Sequence, residues 1–94
     1  MTKGEYRVGI NFNPSADDSV GQIKRMAADL IDLIDTIQLP PWSDLGDQDD
    51  NHSRIDLEGV RRSEVSRLKA LAMTAIEDGA MWAVKAATKP EYEA

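Results

Sequence analysis

The chain has no cysteine, one histidine, one phenylalanine and no long apolar run. Each shortage removes a class of function. Without Cys there is no disulfide framework, no thiolate nucleophile and no Cys-based zinc site. That composition fits a reducing cytoplasm. No apolar stretch approaches the ~18 residues that read as a bilayer span. The opening Met1-Thr2-Lys3-Gly4-Glu5 lacks the apolar core of a signal peptide. The expectation is a chain that is not exported and has no membrane partner. Positive charge is scarce too, with a net charge of −6. DNA and RNA polymers are dense polyanions whose binders are usually basic, so neither is expected as a partner. A small anionic ligand stays open, because a pocket needs only a few local cations. With 94 residues the chain makes one small domain, and chains of this size bury only about 60% of their unfolded surface.

The residues that are present read as helical. Residues 1–15 form an N-terminal segment and turn. Within it Tyr6, Val8 and Ile10 alternate with polar residues, which predicts a short extended piece or strand over 5–11. Asn13-Pro14-Ser15 reads as a turn, with Ser15 as N-cap and Asp18 at the third helical position. A first helix is predicted from Ala16 to Gln38. Val20, Ile23, Ala27, Leu30, Ile34 and Ile37 form its heptad seam, and Pro40 and Pro41 stop it. Residues 40–55 make an acidic loop. A second helix is predicted from Asp56 to Thr88, with a seam of Leu68, Ala72, Ala75, Gly79, Trp82 and Ala86.

Small residues dominate that second seam. Gly79 inside a helix costs about 1 kcal/mol relative to Ala, which makes sense where another helix packs close. Two helices of ~35 and ~50 Å joined by a loop make an all-α, antiparallel two-helix hairpin. A hairpin has no third layer to cover its outer apolar positions. Leu33, Leu39, Leu71, Met73, Ile76, Met81 and Val84 lie off the seams. Other copies of the chain are expected to cover them, so the fold is completed by homo-oligomerisation.

Catalytic constellations are thin. His52 sits in the acidic loop, a poor place for the rigid His of a nucleophilic triad. Asp47, Asp49, Asn51 and Glu58 occupy ligand positions of a calcium loop, but His52 stands where that loop needs Gly and Arg54 where an apolar residue is usual. No metal or cofactor is expected. Asp17 and Asp18 favour the positive end of a helix dipole, and capping explains them. Trp82 reads as core or interface, and Lys85 as solvated or ion-paired.

Phe12 and Lys24 are harder to place. Phe12 precedes the helix and stands between Asn11 and Asn13. Lys24 adjoins the seam at Ile23. An aromatic face beside an ammonium suits a nucleotide, whose base stacks and whose phosphate meets the cation. The plainer reading makes Phe12 a hydrophobic staple on the first helical turn. The residues alone leave both open.

Two segments, "YRVGINFNPSADDSVGQIKRMAADLIDLID" and "RLKALAMTAIEDGAMWAVKAATKP", resemble the phage anti-CBASS nucleotide-sponge family, which shares its helical-hairpin domain with a Thoeris anti-defence sponge. Phe12-Asn13-Pro14-Ser15, Ile23-Lys24-Arg25, the Ala27 to Asp32 run and Ala80 to Lys85 carry the likeness. The middle of the chain shows none. The resemblance implies a binding protein, not an enzyme, that sequesters cyclic nucleotides in the cytoplasm of an infected bacterial host. It implies a homohexamer with cyclic-dinucleotide pockets between protomers. Phe12 matches the stacking aromatic and Lys24 the cation near the phosphates. Arg25 would assist the charge, and Asn13 and Ser15 would offer hydrogen bonds. Some members bind cyclic trinucleotides at a separate site, or cyclised ADP-ribose; Arg67 and Thr74 are the candidates for a second site here. Related proteins often carry Tyr where this chain has Phe12, so ligand preference is expected to differ. The alternative is a structural or protein-binding helical-hairpin adaptor.

Overall fold

The computed structural model describes residues 1–40 and 51–92, with the side chains of residues 51–58 outside that description. All regular structure among the described residues is helical: α1 (Lys3–Val8), α2 (Asp18–Asp35) and α3 (Asn51–Ala87). None of these helices is long and apolar enough to cross a membrane. The predicted calcium-loop ligands and His52 lie outside the described side chains.

The expected N-terminal strand is a helix. Thr2 and Glu5 form a reciprocal capping box: the Glu5 N–H donates to the Thr2 hydroxyl, and the Thr2 N–H donates to the Glu5 carboxylate at 2.7 Å. Gly9 closes the other end with φ at 64°, a left-handed conformation that glycine adopts without steric cost. The Ile10 N–H donates to the Glu5 carbonyl and the Gly9 N–H to the Tyr6 carbonyl, a Schellman closure. Six residues are too few to show a helical hydrophobic period, so Tyr6, Val8 and Ile10 imitate a strand. Both caps are nevertheless written in Thr2, Glu5 and Gly9.

Such a short helix is marginal alone and is held by docking. Gly4 is buried against α2: a Cβ at Gly4 would lie 2.7 Å from the Ala28 carbonyl carbon and closer still to its oxygen. The Gly4 N–H donates to the Asp32 carboxylate at 2.7 Å. Lys3 pairs with Asp35 at 2.8 Å, and Arg7 reaches across to Glu77 of α3 at 2.9 Å.

The predicted Ser15 cap is displaced to Asp17. Its carboxylate accepts from the Ser19 and Val20 N–H groups at 2.7 and 3.3 Å. Ala16 has φ at 53°, so the chain leaves the helical region between Ser15 and Asp17 and the helix cannot begin at Ala16. The far end also comes early, at Asp35 rather than Gln38. α2 has no basic residue in its last turn, and α3 supplies one. The Lys69 ammonium donates to the Asp35 carbonyl at 3.1 Å and also to that of Ile37, satisfying orphan carbonyls at the negative end of the helix dipole. α3 starts at Asn51, ahead of the predicted Asp56, since no Pro or Gly interrupts the polar run there.

α2 lies between the other two helices, which explains its burial. Its core line is Val20, Lys24, Ala27, Ala28 and Ile31. Of the predicted seam, Val20 and Ala27 are buried, while Leu30 and Ile37 are exposed. The added contact with α1 turns the buried stripe toward Ala28 and Ile31. On α3 the spacing is as predicted but the register is one residue late. Met73 and Ala80 are buried and Lys69, Ile76, Ala83 and Val84 half-buried, whereas Leu68, Ala75, Gly79, Trp82 and Ala86 face outward. One residue is about 100° of helix, enough to move a stripe off the core. The amino-terminal half of α2 and the carboxy-terminal end of α3 line one cavity, and Ile34 lines another with Val65 and Lys69.

Replacing Gly4 by Ala should cost about 1–3 kcal/mol, because backbone is the obstacle and α1 must lift. Thermal unfolding of the variant should show a lower midpoint. An unchanged midpoint would mean that α2 yields instead.

Candidate functional site

The turn between α1 and α2 builds the site. Gly9 ends α1, and its carbonyl accepts from the Phe12 N–H at 2.9 Å. Asn13 then organises the chain as far as Asp17. Its side-chain oxygen accepts from the Asp17 N–H and the Ser15 hydroxyl, and its amide donates to the Asp17 carbonyl at 3.0 Å. This net fixes the entry to α2 and turns the Phe12 ring outward.

Lys24 comes up from α2 beneath this turn. The residue is only 6% exposed. Its ammonium donates to the Gly9 carbonyl at 3.0 Å and to the Phe12 carbonyl. It also lies 5.3 Å from the Phe12 ring centroid, within the range of a cation–π contact. Phe12 as a residue is 71% exposed. The staple reading is therefore excluded for the single chain, since a staple would be packed.

Phe12, Asn13, Ser15 and Lys24 line one cavity of about 190 Å³, together with Pro14, Val20, Val84 and Thr88. Lys24 is the one charged residue in that lining. Val84 and Thr88 were not foreseen as site residues. They arrive only because the end of α3 folds back beside the start of α2. The cavity is smaller than the ~300 Å³ at which ligand pockets usually begin.

The other predicted residues lie elsewhere. Arg25 points away from this cavity. It pairs with Glu5 at 2.9 Å and with Asp29 at 2.7 Å, and lines a neighbouring cavity of about 430 Å³ with Asn13, Asp17, Asp18, Gly21, Gln22 and Met26. Arg67 pairs with Glu64 and lines a third cavity of about 400 Å³ with Leu39, Arg62, Ser63 and Ser66. Thr74 is apart from it, its hydroxyl accepting from Arg7 at 3.2 Å. One chain does not bring Arg67 and Thr74 into a common cavity. Trp82 is 61% exposed rather than core, with the Lys85 ammonium 5.6 Å from its ring. Among the described residues no group of three carboxylates or histidines stands close enough to hold a metal ion.

An exposed aromatic residue and a buried cation thus share one small cleft. The chain belongs to the Acb2/Tad1 hairpin-domain family, whose model matches residues 5–88. That family is known for sponge-like binding of cyclic nucleotides and is not known for catalysis. No curated protein and no solved structure matches the chain.

Glu5 reports on the docking of α1. Its carboxyl is held down from 4.5 to about 2, first by the Thr2 backbone N–H and then by the Arg25 guanidinium. A folded value below the unfolded one stabilises the fold in full above about 4.5, and that contribution is lost as pH falls toward about 2. The Glu5 carboxylate carbon resonance should titrate near 2 rather than 4.5. A midpoint at the ordinary value would show that neither Thr2 nor Arg25 holds it.

Proposed function

We propose that the protein sequesters cyclic oligonucleotide immune messengers without cleaving them. It acts for a phage, in the cytoplasm of the infected bacterial host. Cyclic dinucleotides are the first ligand class, with cyclic trinucleotides and cyclised ADP-ribose as further candidates. The observation that carries this reading is the exposed Phe12 ring with the Lys24 ammonium beside it, on a chain of a cyclic-nucleotide-binding family.

In this reading a purine stacks on Phe12. Lys24 has three N–H donors, and two are engaged by carbonyls. The third is left for a phosphate. Asn13 and Ser15, bonded to each other in the turn, offer their remaining lone pairs and protons to ribose or base. Arg25 adds positive potential from the adjoining cavity. Arg67, with Arg62 and Ser66 around its cavity, and Thr74 are kept as the candidates for a second site.

A cavity below the usual ligand size fits a pocket that lacks a wall until a second protomer supplies it. The outward stripe of Leu68, Leu71, Gly79, Met81 and Trp82 is apolar enough to support assembly of hairpins into a homohexamer. The same stripe also favours the alternative reading, a protein-binding adaptor. Sequestration works by mass action, so nanomolar affinity, about −12 kcal/mol, is the useful range.

Phe12→Ala and Lys24→Ala should each weaken binding of a cyclic dinucleotide by at least about 1 kcal/mol, a loss the size of one stacked base. Calorimetry with a panel of cyclic di- and trinucleotides and cyclised ADP-ribose measures this. Denaturing the complex should return intact ligand. Cleaved product would favour a phosphodiesterase, and no binding at all would favour the adaptor. Gly79→Leu should leave the single chain folded, because a Cβ there meets nothing within 4 Å, yet impair assembly by crowding the outward stripe. Sedimentation of an undisturbed oligomer would remove Gly79 from the interface.

A further inference from the structure

We propose that two copies of this chain pack through the side of the α2–α3 pair opposite α1, with a row of large residues on α2 of one copy seated on a row of small residues on α3 of the other. The inference rests on the self-assembly in the reading above and on no ligand.

The short helix α1 settles on one side of the pair. Gly4 meets Ala28 and Asp32, Lys3 meets Asp35, and Arg7 meets Thr74 and Glu77. At about 100° per residue, these contact positions fall on one flank of each long helix. Ile23, Leu30, Ile34 and Ile37 lie roughly 160° away from them around α2, within an arc of about 60°. Leu68, Ala72, Ala75 and Gly79 lie roughly 160° away around α3, in an arc of similar width. Ile34, Ile37, Leu68 and Ala72 line a single cavity of about 310 Å³, so the two rows share one side of the molecule. Every member of both rows is exposed or half-buried.

These rows belong to the heptad seams predicted from the sequence, a spacing that calls for a partner helix. Inside one chain the partner is missing, because α2 and α3 bury a different line through Ala27, Ile31, Met73 and Ala80. Lys69 is the one charged residue lining the cavity, and its ammonium is already bonded to the Asp35 and Ile37 carbonyls. The surface is therefore apolar.

The occupant follows from shape. The α2 row is large throughout, and the α3 row is small from Ala72 to Gly79. A two-fold axis parallel to the helices brings α2 of each copy over α3 of the other, so each ridge enters a furrow. The surface is thus complementary to itself. Gly79 finds its reason there. Glycine weakens a helix interior, and within one chain nothing stands within 4 Å of the Cβ it lacks. A ridge from a second copy makes use of that space. The product is a four-helix bundle with both α1 helices on its outside.

Analytical ultracentrifugation of the full chain tests this. Leu30→Glu and Ala75→Glu each place a carboxylate on one row, at positions exposed in the single chain, so helix content by circular dichroism should hold. Each should weaken self-association at least about tenfold, since assembly would bury an unpaired charge. Tyr6→Glu, on the exposed side of α1, should leave it unchanged. Wild-type mass in both row variants, or dissociation by Tyr6→Glu alone, would overturn the proposal.

The chain has no cysteine, so an equal mixture of Leu30→Cys and Ala75→Cys reads the seating directly under mild oxidation, even should a Glu variant lose helix. Mixed disulfide dimers should outnumber either same-variant dimer by at least about fivefold. An excess of same-variant dimers would lay like row on like row and refute the arrangement. A monomeric wild type defeats the assembly reading together with this surface. A wild-type oligomer with undisturbed row variants defeats this surface alone.

Discussion

Everything in the amino-terminal half of the protein hangs on one close approach, the seating of Gly4 on the Ala28 carbonyl of α2. Only a residue without a side chain allows it. That contact brings the first turn of α1 to the Asp32 carboxylate and lays α1 along α2. Once α1 is down, Gly9 is at a set place, its carbonyl meets Lys24, and the turn carrying Phe12 is closed. A chain this small has little apolar area to bury. It positions its site with backbone contacts and caps instead of a deep core.

Two lysines do matching work at opposite ends of the helix pair. Lys24 gathers carbonyls from the turn before α2, and Lys69 gathers carbonyls from the end of α2. Each is a cation from one element bound to the backbone of another. Neither forms a salt bridge with a carboxylate among the described residues, although Lys69 stands near enough to the Asp35 carboxylate to help Lys3 hold its pKa down. Surface ion pairs such as Lys3–Asp35 and Arg25–Glu5 are screened by solvent and contribute little. A half-buried or buried ammonium on two carbonyls is harder to replace, because water cannot readily re-enter to solvate the groups left behind.

The long helices leave apolar faces uncovered. α2 and α3 bury only a thin line that includes Val20, Ala27, Ile31, Met73 and Ala80, and leave Leu33, Leu68, Leu71 and Trp82 outside. A monomer seldom keeps so much apolar surface for nothing. The cleft at Phe12 is likewise undersized by itself. Both observations favour a molecule completed by contact with other copies, which is how the proposed sequestering assembly would gain its pockets.

Helical class, two long helices and a turn rich in Asn and Ser around Phe12 were all legible from composition, spacing and the prolines. Phe12, Asn13, Ser15 and Lys24, which line the cleft, were singled out with the help of the family resemblance, whereas the helical class, the long helices and the turn were read from the residues themselves. These are local properties, set by caps, periodicity and the order of residues within a few positions. Tertiary structure alone decided the rest. It turned a strand-like pattern at Tyr6, Val8 and Ile10 into a docked helix, because docking outweighs the preference of six residues. It rotated the buried face of α3 by one residue, because heptad spacing states that a stripe exists but not which neighbour it meets. It placed Val84 and Thr88 opposite Phe12 and sent Arg25 to another face, because such meetings depend on how distant segments pack, and no local pattern records that.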